Sequence, residues 1–169
     1  MRERLREHAG DSAALRDAIR RWLSEHPECR TVAIFAALPG EPDLLPLVTL
    51  HPERRWVLPK VQGDALSFHE VTAPEHELIT GAFGIREPRA DSPLVAIPEI
   101  DVFLCPGLAF DLLGNRLGRG RGFYDRMLEM ARPDALKLGV CFPFQLVDDT
   151  FLEPHDIRMD GLITPSPAP

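Results

Sequence analysis

Gly114, Gly118, Gly120 and Gly122 stand among Arg116, Arg119, Arg121 and Arg126 in the run Gly-Asn-Arg-Leu-Gly-Arg-Gly-Arg-Gly-Phe-Tyr-Asp-Arg. Glycine allows left-handed backbone and lets a ligand approach main-chain N–H groups closely. Arginine offers a planar, permanently charged fork that matches phosphate. Upstream, the apolar run Val102-Phe103-Leu104-Cys105 is stopped by Pro106-Gly107 and reads as a buried strand reaching the rim of a sheet. Downstream, Tyr124, Met127, Leu128 and Ala131 recur at helical spacing, so a helix N-terminus with oriented N–H donors stands behind the loop. A strand, a glycine–arginine loop and a helix together imply phosphate or nucleotide binding, with a structural glycine turn as the alternative. Asp125 then has a task, since a carboxylate beside a polyphosphate can hold Mg²⁺. An acid in a first helical turn needs no such task, because the helix dipole favours it there anyway.

The loop is not one of the common nucleotide motifs. A P-loop ends in Gly-Lys-Ser/Thr, which is missing here. A dinucleotide fingerprint follows its strand directly, whereas Gly118, Gly120 and Gly122 are spaced differently and arrive late. Nor does the chain suit a polyanion. Its formal net charge is −7 and its arginines gather at this loop and near the N-terminus. Nucleic-acid affinity needs a basic face, so no nucleic-acid partner is expected and a small anionic ligand fits better.

Other candidate residues lie along the chain. Arg2 and Arg6 are one helical turn apart in a basic segment, Met1 to Glu7, that reads as a short first helix, and they can reach a common anion. Leu15, Ile19, Trp22 and Leu23 form the apolar face of a second helix capped by Asp11 or Ser12, with Arg16, Arg20 and Arg21 as its solvated face. Thr31 to Ala37 reads as a buried strand ending in the turn Leu38-Pro39-Gly40-Glu41-Pro42-Asp43. In a parallel α/β sheet ligands bind at that end, which makes Glu41 a candidate for a polar ligand group, although turns also carry acids for solubility. A short helix is expected over Leu44 to Leu50, then strands over Trp56 to Val61 and Ala65 to Val71. Lys60 is either a substrate-binding cation or a surface lysine. A helical turn over Pro74 to Ile79 leads into an irregular, ligand-facing loop from Gly81 to Pro88. Late strands are expected over Leu138 to Phe142 and Gly161 to Thr164. Between them Asp156 can join Asp125 around Mg²⁺, while a single histidine, His155, among acids argues against zinc.

These elements alternate, and several strands are apolar on both faces. The fold expected is α/β: a single-domain three-layer α/β/α arrangement with a mostly parallel sheet, made mixed by a hairpin near Val61 and Ala65. Residues 1–164 form one domain and 165–169 a short Pro-rich, disordered tail. Cys29, Cys105 and Cys141 show no pairing or metal-like spacing, and no stretch reaches transmembrane length. A cytoplasmic protein, with no membrane partner, is expected.

The run Pro106-Gly107-Leu108-Ala109-Phe110-Asp111, followed by Gly114-Asn115-Arg116-Leu117-Gly118-Arg119-Gly120-Arg121-Gly122-Phe123-Tyr124-Asp125, resembles the signature of the 5-formyltetrahydrofolate cyclo-ligase family. The turn at Glu41, Leu58-Pro59-Lys60, Gly84-Ile85-Arg86-Glu87-Pro88 and the late Asp156 follow in the same order. The resemblance implies ATP-dependent ring closure. ATP phosphorylates the formyl oxygen of 5-formyltetrahydrofolate, N10 attacks the activated carbon, and phosphate leaves to give 5,10-methenyltetrahydrofolate. It implies that Arg2, Arg6, Arg116, Leu117, Gly118, Arg119, Gly120, Arg121, Gly122, Phe123 and Tyr124 bind ATP. Glu41, Lys60 and Arg119 to Phe123 would bind the folate, with Arg119, Arg121 and Tyr124 catalytic. Asp125 and Asp156 would hold Mg²⁺. A monomer is expected. Two features depart from the family pattern: arginines replace an N-terminal lysine, and Phe123 stands where tyrosine is frequent.

Overall fold

The computed structural model describes residues 12–151 and 153–165. Arg2, Arg6, the expected first helix and most of the Pro-rich tail lie outside them. The chain opens with helix α1 (Ser12–Glu25), which turns Leu15, Ile19 and Leu23 inward. Trp22 is only partly buried and stacks on His26. Strand β1 (Thr31–Ala33) leads to helix α2 (Pro46–Leu50), then β2 (Arg55–Gln62) and β3 (Ala65–Glu70). Helix α3 (Pro74–Glu77), β4 (Leu78–Thr80), β5 (Arg86–Pro88) and the short β6 (Leu94–Val95) follow. The second half carries β7 (Val102–Cys105), β8 (Ala109–Phe110), β9 (Arg116–Leu117), helix α4 (Phe123–Leu128), β10 (Leu136–Val140) and β11 (Gly161–Ile163).

Seven strands make the main sheet in the order β11-β10-β7-β1-β2-β3-β6. From β11 to β2 the pairs are parallel, and β3 and β6 add antiparallel edges. The expected mixed, mostly parallel sheet is what the residues build. Alternation across the pleat sends neighbouring side chains into separate cores. Val32, Trp56, Leu58, Val102, Leu104 and Val140 face the α1 side. Ala33, Val57, Phe103 and Cys105 face the other, where Met127 and Leu128 of α4 pack.

Several boundaries differ from the sequence reading. β1 pairs over three residues rather than running to Ala37; Ile34 still donates to Val57 O at 3.0 Å, and the buried chain then leaves the ladder toward the turn at Glu41. α2 begins at Pro46 rather than Leu44, since proline suits a first helical position, where its missing N–H has no partner to lose. The segment expected to be irregular from Gly81 to Pro88 is half of a hairpin: β5 pairs with β4 around a turn at Ala82–Gly84. β6, β8 and β9 are two residues each, too short to leave a periodic signal.

Connections diverge between β1 and β7. After β1 the chain moves outward to β2, and after β7 it moves the other way to β10. The crevice beyond the carboxyl ends of two such strands is where open α/β sheets bind ligands. The Glu41 turn follows β1, and the glycine–arginine loop follows β7.

Candidate active site

A cleft of about 420 Å³ opens at that switch point. One wall is the turn after β1, a second the β4–β5 hairpin, a third the segment from Gly118 to Asp125, and Thr150, Phe151, Glu153, His155 and Asp156 close the end. Every described residue from Arg116 to Asp125 borders it, as do Glu41 and Asp156. Arg2 and Arg6 lie outside the described residues.

The loop is held at both ends. Arg116 and Leu117 belong to β9, which pairs with β8, so the free loop is shorter than the sequence suggested and runs from Gly118 to Gly122. Asp111 anchors the tight turn between β8 and β9. Its carboxylate accepts from Leu113 N, Asn115 N, Asn115 Nδ2, Thr150 N and Thr150 Oγ1, at 2.9–3.3 Å. Burial alone would push this carboxyl up, but the hydrogen bonds from Asn115 and Thr150 outweigh it and hold Asp111 below the usual carboxylate range. The same bonds tie the loop to the segment carrying Asp156. Gly114, at φ 85°, is where the turn needs left-handed backbone, and a Cβ there would meet Met159 O at 2.4 Å. Gly120 and Gly122 also have positive φ, 87° and 66°, a backbone that side-chain-bearing residues rarely adopt.

Charges in the cleft are paired across its walls. Arg119 grips Glu41 through Nε and Nη2, at 3.0 and 2.8 Å from Oε1, and the second carboxylate oxygen accepts from Leu38 N at 3.0 Å. Arg116 is nearly buried: Nη2 spans both oxygens of Asp125 at 3.2 Å, Nη1 donates to Pro106 O at 3.3 Å, and Nε makes no hydrogen bond. Ile157 N also donates to Asp125 at 3.2 Å, which sets the residue after Asp156 against the Asp125 carboxylate. Arg121 lies over the Phe83 ring at 3.8 Å, and Arg126 over Phe123 at 5.5 Å. Tyr124 is partly buried beneath Arg116, whose guanidinium carbon is 5.4 Å from the ring centroid. Burial first, then the nearby Cys105 thiol and Glu41 carboxylate, push the phenol well above its usual range, so it is a hydroxyl donor at neutral pH and not a base.

Carboxylate oxygens are the donors that Mg²⁺ prefers. Asp125 on the third wall and Asp156 at the closing end supply them, with Ile157 N on Asp125 joining the two segments, and these donor types fit that ion. Glu153 and His155 stand with Asp156, their ligand atoms all within 4.8 Å of one another, but both are exposed. The cysteines offer no nucleophile. All three are buried, and burial pushes Cys105 and Cys141 up to about 12.

Lys60 is not on the cleft wall. Its ammonium donates to Glu87 Oε1 at 2.8 Å and Pro88 O at 3.2 Å, one side chain behind the surface. Glu87 and Phe83 border the cleft and were not singled out from sequence. The signal was present in the Gly-Ile-Arg-Glu-Pro run, but nothing in it showed that the β4–β5 hairpin would turn Glu87 inward. Phe83 holds φ 60°, uncommon for a residue with a side chain, and this positions its ring over the mouth.

A carboxylate-lined crevice at a sheet's switch point, walled by a glycine–arginine loop, is the site of an α/β enzyme acting on a small molecule. The profile of the 5-formyltetrahydrofolate cyclo-ligase family matches residues 1–165. A 5-formyltetrahydrofolate cyclo-ligase of Mycolicibacterium smegmatis is 37% identical over 157 residues, covering 88% of this chain and 81% of that protein. The Escherichia coli K12 protein of the same name is 33% identical, over 80% of this chain and 78% of its own. Among solved structures, the Aquifex aeolicus 5,10-methenyltetrahydrofolate synthetase matches with a TM-score of 0.77 at 35% identity, covering 99% of this chain and 82% of that one. The chain belongs to the 5-formyltetrahydrofolate cyclo-ligase family, and it is an enzyme, a ligase. Among the described residues no helix is long and apolar enough to cross a membrane.

Proposed function

We propose that this enzyme closes 5-formyltetrahydrofolate to 5,10-methenyltetrahydrofolate at the expense of ATP, with Mg²⁺. The observation that carries the reading is the Arg119–Glu41 pair, because it joins the phosphate-matching loop to the opposite wall in one cleft. Two substrates bound on either side of that pair would meet at the loop. In-line transfer of a phosphoryl group to a formyl oxygen needs positioning and charge neutralisation more than a protein nucleophile, which suits a cleft bordered by no cysteine, the three thiols being buried elsewhere.

In this reading the N–H groups from Gly118 to Gly122 and the forks of Arg116, Arg119 and Arg121 hold the phosphates. Glu41 receives the folate, and Arg119, alternating between Glu41 and phosphate, sets the transferring group against the formyl oxygen. Tyr124, kept protonated, contributes a neutral donor. Mg²⁺, when bound, spreads the negative charge of the phosphates, and Asp125 and Asp156 are the residues that would hold it. After transfer, N10 attacks the activated carbon and phosphate departs. The free, buried thiols agree with a cytoplasmic setting.

Replacing Glu41 separates the two halves of the cleft. Glu41→Gln should weaken 5-formyltetrahydrofolate binding about ten- to a hundredfold, the loss of one charged hydrogen bond, and leave ATP affinity undiminished or raised, because Arg119 loses the carboxylate that competes with phosphate. Calorimetric titration of each ligand checks this. Loss of ATP affinity with folate affinity intact would assign the walls the other way round.

A further inference from the structure

Glu87 is a second carboxylate in the cleft wall, and the reading above gives it no task. It lies on β5, is only 7% exposed, and borders the cleft beside Val61, Leu66 and Ile85. Lys60 Nζ donates to Oε1 at 2.8 Å and Val61 N to Oε2 at 3.3 Å. The site is built to admit this side chain: a Cβ on Gly81 would sit 2.0 Å from Glu87 Cδ. Burying an ion pair costs several kcal/mol of desolvation, and apolar residues of equal volume often stabilise a fold as well or better. Fold stability alone therefore does not explain the pair. Each carboxylate oxygen accepts more than one hydrogen bond, so both keep capacity toward the cleft. The apolar neighbours strengthen any bond made there.

We infer that Glu87 is a specificity residue that accepts hydrogen bonds from the N–H edge of the substrate's fused ring. The inference rests on the substrate reading given above. The pterin of a folate carries an exocyclic amino group beside a ring N–H, a donor pair whose spacing matches the two oxygens of one carboxylate. Lys60 then acts through Glu87, as a positioning residue that holds the carboxylate in the wall, which accounts for a lysine in the substrate region that does not reach the cleft. A site that hydrogen-bonds a substrate donor rejects the analogue lacking it, because its own polar group is left unpaired.

The test is direct binding, without turnover, of 5-formyltetrahydrofolate and its 2-desamino analogue to the wild-type enzyme and to Glu87→Gln, with ATP binding measured on both. Wild type should bind the analogue about ten- to a hundredfold more weakly than the parent. Glu87→Gln should lose a similar factor toward the parent and no longer distinguish the two folates, with ATP affinity unchanged. Wild type that binds both folates alike overturns the inference, and this arm stands even where the variant does not fold. A Glu87→Gln enzyme that keeps the wild-type discrimination overturns it too. Wild type that binds ATP but neither folate would instead remove the substrate reading, and this inference with it.

Discussion

Asp125 carries more than one assignment at the residue scale. It receives both Arg116 and Ile157 N, so a purely structural role is available to it, and its place beside Asp156 makes it half of a magnesium site. The two roles separate in Asp125→Asn, which keeps the size and an acceptor for both donors. Turnover should fall about a hundredfold or more, since charge neutralisation by a metal contributes several kcal/mol, while the protein still folds, with its unfolding temperature lowered by the loss of the ion pair to the nearly buried Arg116. Wild-type turnover in that variant would remove Asp125 from the chemistry. Arg116 and Arg119 were legible from sequence because their residue types point to only a few tasks. Glu87, Phe83 and Asp111 were not. An acid, an aromatic and a motif aspartate each have many uses, and only the hairpin and the Thr150 contact select one for each.

At the element scale, the site depends on how β8 is seated on the sheet. Phe110 is fully buried against Gly139 of β10, where a Cβ would come within 2.5 Å of the Phe110 ring and 2.7 Å of Leu162. Gly139→Ala must push Phe110, and with it the turn anchored by Asp111. Overpacking of this kind costs about 1–3 kcal/mol, visible as a lower denaturant midpoint with an unchanged slope. An unchanged midpoint would mean the Phe110 seat is looser than its contacts indicate. The long elements were readable because periodicity and apolar runs record burial: Leu15, Ile19 and Leu23 mark α1, the apolar run Trp56 to Leu58 marks β2, and the short connection to β3 marks their hairpin. The two-residue strands were not readable. Their pairing is set by tertiary contact, as when Val147 N donates to Phe110 O at 2.9 Å, and no local pattern encodes it.

Across the whole molecule, the order of strands converts a linear motif into a site. β1 and β7 are about seventy residues apart, yet they pair in parallel at the centre of the sheet, and their following loops face each other. Alternating helices and strands made the sheet class readable. They did not fix the strand order, which depends on which hydrophobic faces α1 and α4 cover. The acidic balance of −7 surrounds a cleft in which Arg119 and Arg116 are already matched by Glu41 and Asp125, so at these two arginines ligand anions compete with internal carboxylates rather than with solvent alone.

That competition and the shared cleft meet in one reaction, which absorbance can follow. Purified enzyme mixed with 5-formyltetrahydrofolate and ATP should generate the methenyltetrahydrofolate chromophore only when Mg²⁺ is present, and a chelator should stop it. A flat trace from folded protein that still binds ATP would contradict the account, leaving the loop correctly assigned and the folate chemistry wrong.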